Sequence, residues 1–514
     1  MTDLQPGKKA DSTAWLAVAA GTLGALMATF DISIVNSSLP IIQGEIGASG
    51  TEGTWISTGY LVSEIVIIPL SAWLSQLLGL RTFLLIAAGA FTVFSMVCGL
   101  STTLLTMIIG RVGQGFTGGA LIPTAMTIIA TRLPRSQQPI GNAMFGATVL
   151  IGPVLGPLLG GWLTENLSWH YAFFVNLPIC VVLITLLLVA LPHQAAKPEL
   201  VGEADWLGIF GLAAGLGALT VVLEEGQRLQ WFDSALISWL LFVSVIGVAL
   251  LFAGQMLAER PVIRLRLLLN WQFSGVVIMS MVVAMVGYGT AYAIPQFLSG
   301  VANYNAIQSG EIVVLSGLPM ALLMPFTPLL MKTLDIRLAV AIGLALLALS
   351  AFVETDISPL SGGEAFVWSQ VMRGIGTTFA GMFLNQAAIR SVTREEAGDA
   401  AGVYNAARNL GGSLALSAFA VLQDQRIWLH SRRLEESMHA NSVLVQEYLS
   451  VPAGGSAGGP SPALRSLEGI IQLQASVMTF ADMFWLLTVC IVAIIPLTLI
   501  LRPLPMGATQ GAAH

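Results

Sequence analysis

Apolar residues fall in long runs along this chain, without the two-residue alternation of half-buried strands, and most runs approach the ~20 residues that carry a helix across a hydrocarbon core. About fourteen such runs are legible, near 15–37, 54–76, 83–100, 104–128, 141–163, 171–191, 206–223, 234–257, 272–298, 310–331, 337–353, 366–389, 399–422 and 480–501. They predict an all-α, polytopic membrane protein. Connections are short except for one outer segment, Asp424–Gln474, far beyond the ~2–8 residues usual between bundled helices. Its first part, Asp424–Leu449, is rich in helix formers and could be an amphipathic helix, whereas Pro452–Pro462 is a flexible Gly/Ser/Pro linker.

Charge tests the count, because a missed or invented span would put every later loop on the wrong side. With the N-terminus inside, cytoplasmic segments collect Lys8, Lys9, Arg81, Arg132, Arg135, Lys197, Arg260, Arg264, Arg266, Lys332, Arg337, Arg390, Arg394 and Arg502, whereas the short outer loops collect only Arg228. That bias predicts an even number of spans and two cytoplasmic termini. Lys8 and Lys9 lie well ahead of the first run with no small-residue cleavage site, so the first span is expected to stay in the mature protein.

Composition narrows the class further. With 55% hydrophobic and 10% charged residues, against about 25% charged in ordinary soluble chains, the chain is neither a water-soluble enzyme nor a disordered protein. The 53 glycines and 8% aromatics suit closely packed helices better than a barrel with aromatic girdles. The net charge of -6 forms no basic patch, which argues against a nucleic-acid partner. Cys98, Cys180 and Cys490 each sit inside an apolar run and lack disulfide or zinc spacing.

In such a chain the informative residues are those that lipid should exclude. A charge at mid-bilayer costs several kcal/mol and is tolerated where it faces a bundle interior or a wet cavity. Asp31, Glu64, Arg111, Arg373 and Arg408 are therefore candidates, with snorkelling or a fixed ion pair as the alternative, which weighs most for Arg373 and Arg408. At a rise of about 1.5 Å per residue, Asp31, Arg111 and Glu64 all fall in the outer half or middle of their spans. There, desolvation competes with a nearby guanidinium, so Asp31 or Glu64 could take and release a proton while the arginine stays charged.

A second pattern is glycine and proline in the fifth span: Gly146, Gly152, Pro153, Gly156, Pro157, Gly160 and Gly161. Gly152, Gly156 and Gly160 recur every four residues and clear one helix face for a close neighbour, while the prolines remove backbone donors and bend the helix. Gly115, Gly118 and Gly119 form a second stripe after Arg111.

Together these residues resemble the fourteen-helix drug:proton antiporters of the major facilitator superfamily, and within them the EmrB-type inner-membrane pumps of Gram-negative bacteria. The resemblance rests on Phe30-Asp31 through Asn36 to Pro40 in the first span, Arg111-x-x-Gln114-Gly115 in the fourth, and Gly152-Pro153-x-x-Gly156-Pro157-x-x-Gly160-Gly161 in the fifth. The run Trp169 to Pro178 before the sixth span adds to it. It implies a part in proton coupling for Arg111 and a fifth-span motif associated with antiporters, while the proton-carrying role of Asp31 or Glu64 rests on their depth. The loop between spans 2 and 3 departs from the superfamily pattern: Ala72, Gln76 and Leu77 replace its Gly, Asp and basic residue, and only Gly79 and Arg81 fit. A charge relay through that Asp is not expected.

The implied architecture is a cytoplasmic N-terminus (1–14), an N-terminal six-helix bundle (15–191), two inserted helices (206–257), a C-terminal six-helix bundle (272–501) with a long periplasmic loop (424–474), and a cytoplasmic tail (502–514). Alternating access would occur around a site at the bundle interface, with Asn36, Tyr288, Tyr292, Gln296, Asn385 and Gln386 as candidate substrate contacts; plain interhelical hydrogen bonding is their alternative. The expected function is proton-driven multidrug efflux across the inner membrane, with a periplasmic adaptor, an outer-membrane channel and no cofactor. Proton-coupled uptake of a small solute is the alternative, disfavoured by the fifth-span motif. A membrane enzyme would need a clustered nucleophile and base or a metal set, yet His170, His193, His430, His439 and His514 lie in loops or at a terminus. No phosphate-binding loop ending in Lys-Ser/Thr is present.

Overall fold

The structure is a computed structural model and describes residues 10–134, 137–258, 261, 264–323, 326–393, 396–437 and 462–501. These residues are helical, with no strand among them. The N-terminal half holds α1 (Ser12–Glu45), α2 (Trp55–Leu78), α3 (Leu80–Gly99), α4 (Leu104–Gly118), α5 (Leu121–Arg132), α6 (Gln138–Asn166) and α7 (Asn176–Ala190). A hairpin of α8 (Trp206–Glu225) and α9 (Ala235–Leu257) follows. The C-terminal half holds α10 (Trp271–Gly300), α11 (Ala306–Val314), α12 (Gly317–Leu323), α13 (Thr327–Thr333), α14 (Ile336–Val353), α15 (Val367–Arg390), α16 (Ala397–Ser437) and α17 (Pro462–Ile494). Among the described residues, nine helices are long and apolar enough to cross a membrane. The other five expected runs fall on α4–α5, α6, α11–α13, α15 and α16.

Besides a turn at Val175 in the sixth run and a closing 3-10 segment, Ile495–Ile500, in the last, two runs differ from a single continuous helix. The fourth breaks between α4 and α5, where the chain is pressed against α2: a Cβ on Gly115 would strike the backbone of Tyr60, and one on Gly119 would strike Glu64 and Ile67. The tenth divides into α11, α12 and α13, in a stretch that carries Pro319, Pro325 and Pro328, each lacking a backbone donor.

The outer segment also differs from the expected loop. α16 continues unbroken to Ser437 and α17 already begins at Pro462, so Asp424–Ser437 and Pro462–Gln474 are helical. The rest of the segment, including Pro452 to Ser461, lies outside the described residues, as do residues 1–9 and 502–514 at the expected cytoplasmic ends. His430 Nε2 meets Asp482 Oδ2 at 2.9 Å, Arg426 Nε meets the same oxygen at 3.5 Å, and Gln472 Nε2 donates to Ser431 Oγ at 3.3 Å. These contacts bind the extension of α16 to α17.

Polar connections mark two ends of the bundle. At the near end, where α1 begins, Lys197 N donates to Leu77 O at 2.8 Å and Leu80 N to Gln194 Oε1 at 3.1 Å. The turn at Gly79, whose φ is +78°, is thus held by the chain leaving α7. At the far end Trp169 Nε1 donates to Glu45 Oε2 at 2.8 Å.

In the N-terminal half α1 lies along α6, α2 on α4, and α3 on α4 and α7; in the C-terminal half α10 and α17 flank α16, and α14 lies on α15. The α1–α6 contact explains the fifth-span glycines. A Cβ on Gly152 would meet Thr29, one on Gly156 would meet Ser33 and the backbone of Ile34, and one on Gly160 would meet Ser37 and Ile34. Glycines four apart therefore mesh with residues four apart on α1. Gly161 faces open space and is not part of the seam, and a Cβ on Gly146 would only touch Met382 at ordinary distance. Pro153 and Pro157 belong to α6, but their side chains lie outside the described residues.

This seam makes a paired prediction. Gly156→Leu should separate α1 from α6, and overpacking costs about 1–3 kcal/mol or more, so the thermal midpoint in detergent should fall by several degrees. Gly161→Ala, on the open face of the same helix, should leave it unchanged. Equal midpoints for the two variants would remove the seam from the stability of the fold.

Candidate functional site

Asp31 on α1 and Arg111 on α4 are both fully buried and form an ion pair, Arg111 Nη1 to Asp31 Oδ2 at 2.5 Å. The contacts around them come from four helices. Gln114 Nε2, one turn along α4, donates to Asp31 Oδ1 at 3.0 Å and to Ser95 Oγ of α3 at 2.8 Å. Asn176 Nδ2, at the start of α7, donates to Asp31 Oδ1 at 2.6 Å. Arg111 Nε donates to the Ile56 carbonyl of α2 at 3.2 Å, and its guanidinium carbon lies 4.4 Å from the centroid of the Tyr60 ring. One network thus ties α1, α2, α3, α4 and α7 together.

Burying both charges is costly, and only the pairing and the added donors offset it. Removing one partner of such a pair costs about 3–5 kcal/mol because the other charge is stranded. Even so, Arg111 Nη2 and Asn176 Oδ1 are buried with no hydrogen-bond partner. The centre is held, but not saturated.

Glu64 is buried on α2 and does not join this network directly. Its carboxylate is hydrogen-bonded by the Asn409 side chain of α16, and Arg111 and Arg408 both lie near enough to act on it electrostatically. It therefore sits where the two halves meet. Arg373 has the alternative role weighed for it: it pairs with Glu354, which also accepts from Ser369 Oγ at 2.6 Å, inside the C-terminal half.

The six candidate substrate contacts are not gathered in one place. Asn36 Oδ1 accepts from Ser57 Oγ at 2.7 Å at the far end. Tyr288 lines a cavity of about 20 Å³ with Leu61, Ile65, Thr220, Glu224, Asn409, Ser413 and Leu416. Tyr292 Oη donates to Gln423 Oε1 at 3.1 Å, and Gln296 is exposed. Toward the near end, Gln386 touches Asn142 of α6, whereas Asn385 is buried with its Oδ1 unpartnered. Of the six, Tyr288 and Gln386 lie at the contact between the halves.

Three carboxylates went unnoticed in the sequence. Glu224 and Glu354 each stand one residue beyond the apolar run that precedes them, and Glu225 two beyond, so all read as loop residues. In the structure Glu225 accepts from Thr58 Oγ1 at 2.7 Å, Thr54 Oγ1 at 3.3 Å and Arg228 Nε at 2.6 Å, while Glu224 accepts from Ser413 Oγ at 2.6 Å. The available signal was their type: a carboxylate at the end of an apolar helix needs a partner wherever the helix end is packed.

The chain matches known proteins across this whole architecture. The model of the Major Facilitator Superfamily matches residues 21–416. A colistin resistance protein EmrB of Acinetobacter baumannii is 33% identical over 437 residues, 85% of each chain. The multidrug export protein EmrB of Escherichia coli K12 is 27% identical over 491 residues, 95% of each chain. Among solved structures, the human organic anion transporter MFSD10 superposes with a TM-score of 0.57 at 14% identity, over 93% of this chain and 99% of that one. The proton:xylose symporter XylE gives 0.58 at 14%, over 93% and 95%. These two speak for the fold alone. With its buried polar network inside such a fold, this multi-pass membrane protein belongs to the Major Facilitator Superfamily, among its EmrB-type transporters.

Proposed function

We propose that the protein exports amphipathic, drug-like compounds across the inner membrane in exchange for protons, by alternating access between its two halves. Relatives named as multidrug export and colistin resistance proteins support the export of such compounds. The observation that carries the coupling is the fully buried Asp31–Arg111 pair. A proton on Asp31 would cancel the attraction that holds α1 against α4, leave Arg111 to the Ile56 carbonyl and the Tyr60 ring that it already touches on α2, and loosen the seam between α1 and α6. Glu64, bonded to Asn409 across the halves, would carry the same signal to the contact that must open. Drug bound between the halves and protons bound at these carboxylates would then favour opposite-facing states, which is the condition for exchange.

In this reading the near end is cytoplasmic and the far end periplasmic, as the distribution of basic residues expects. The projecting part of α16 supports a partner there. With Gln472 it lines a cavity of about 510 Å³ that includes Asp424, Ile427, Trp428 and Arg432, and the Arg432 guanidinium stands 5.2 Å from the Trp428 ring. This mixed aromatic and charged surface is suited to the helical face of a periplasmic adaptor, through which an outer-membrane channel would complete the path.

Three outcomes follow. In proteoliposomes with an imposed pH gradient, Arg111→Ala and Asp31→Asn should each lower dye efflux at least tenfold at normal protein levels. Arg111→Lys should do the same, since an ammonium lacks the planar fork that reaches Asp31, Gln114 and the Ile56 carbonyl together; wild-type efflux from all three would end the coupling assignment. Glu64→Gln should flatten the pH dependence of transport while sparing binding of a neutral drug, and an unshifted profile would leave Glu64 a packing residue. Trp428→Ala with Arg432→Glu should abolish co-purification of the adaptor and drug resistance in cells, yet preserve transport in proteoliposomes; an adaptor still captured would place docking on another surface.

A further inference from the structure

The α8–α9 hairpin supplies no residue to the Asp31–Arg111 network or to the Glu64–Asn409 contact. Its packing shows two different attachments. α8 lies along α2, where Gly217 faces Val62 and Val66, and it is cemented there by Glu225, which is 1% exposed and takes hydrogen bonds from Thr58, Thr54 and Arg228. Toward the other half α8 makes far less. Glu224 accepts one hydrogen bond from Ser413 of α16 at 2.6 Å, and Gln227 Nε2, just past the helix end, donates to Asp424 Oδ2 at 2.5 Å.

Adjacent side chains of one helix therefore grip opposite halves, and the two grips are unequal. Glu225, nearly fully buried, is matched by two hydroxyls at the start of α2 and by Arg228 of its own segment, so parting it from α2 would strip both hydroxyls from a buried carboxylate. Glu224 is held by one neutral hydroxyl beside a small cavity, and Gln227–Asp424 is solvent-exposed. Both of the latter exchange for water at little cost once the halves part. They also sit at the far end, the end that must open for release.

We propose that the hairpin rides with the N-terminal half and that Glu224 and Gln227 form a latch that holds the far end shut against α16, with Ser413 and Asp424 as its catch. The inference rests on the alternating-access reading above. Glu224 is a positioning residue in it: its oxygen is needed as a hydrogen-bond acceptor, and its charge is not. The extra pair of helices, on this account, sets how long the protein stays closed on the far side.

The test measures far-end opening directly. Spin labels on Thr102→Cys and Ser358→Cys, exposed positions at the far end of the two halves, with half-buried Cys490 replaced by Ala, give a distance distribution by pulsed electron resonance in nanodiscs. With Glu224 and Gln227 intact the distribution should hold a short, closed population and a minor, longer one. Glu224→Leu with Gln227→Ala should raise the longer population roughly tenfold, the size expected when two hydrogen bonds of modest net worth are lost together, and Ser413→Val should shift it the same way. Glu224→Gln keeps an acceptor oxygen and should restore the original distribution. An unchanged distribution in the Leu/Ala variant overturns the latch, and so does a Gln variant that behaves like Leu, because charge would then be the property in use. A single fixed distance under every condition, with or without drug and pH gradient, would instead count against alternating access itself, which separates the two failures.

Discussion

A membrane interior offers no water to a stranded charge, and this single constraint organises the chain. Asp31 and Arg111 can be buried only as a pair, and the pair can persist only if other donors complete its shell. Gln114, Asn176, Ser95 and the Ile56 carbonyl do so from separate helices, so the shell doubles as a clamp on the N-terminal half. The same rule recurs at Glu354 and Arg373 in the other half and at Glu225 in the hairpin. Each half is thereby fastened by a charge of its own, and the contacts between halves are left to weaker groups.

That division shows in how close the helices come. Within the N-terminal half, glycines four apart let α1 and α6 approach until a methyl group would not fit, and Gly115 lets α4 rest on the backbone of Tyr60. Between halves the contact is close but less interlocked: a Cβ on Gly398 would come to 3.3 Å from Ala72 of α2 and one on Gly402 to 3.1 Å from Pro69, against 2.2 Å at Gly115 and Gly160. Rigid units joined by shallow contacts can rock without repacking their interiors, because a close-packed core has discrete arrangements and the shallow contacts do not.

Hydropathy carried most of the fold and stopped where solvent stopped. Thirteen positions of α16 beyond Asp424 are helical although only Ile427, Trp428, Leu429 and Leu434 among them are apolar. Helix formers signalled this stretch where hydropathy did not, because apolar content reports the surroundings of a helix while its continuation depends on backbone propensity and on partners such as Asp482. The same edge effect hid Glu224, Glu225 and Glu354. The Asp31–Arg111 pair was legible because lipid makes both residues anomalous at once, and the glycine seam because its period matches a helix turn. The substrate contacts were not: an Asn, Gln or Tyr in a span satisfies its hydrogen bonds equally well inside one half or across two, and nothing in its spacing separates Tyr288, beside the cavity, from Gln296, on the exterior. The turn after α2 shows the reverse case, where a missing acidic residue left no gap because the Lys197 N–H and the Gln194 side chain, from the chain beyond α7, hold it.

The length of α16 has a mechanical meaning. Its 41 residues form one uninterrupted helix, about 60 Å from end to end, and along that single rod lie the contact with Pro69, the partner of Glu64, the partner of Glu224 and the projecting tip beside Trp428. Gly411, Gly412 and Ser413 stand near its middle, the kind of site at which a long helix bends. A load on the tip would reach the contact with Pro69 and the partner of Glu64 only through that point, so the helix ties outside to inside by a joint and not by a rigid lever.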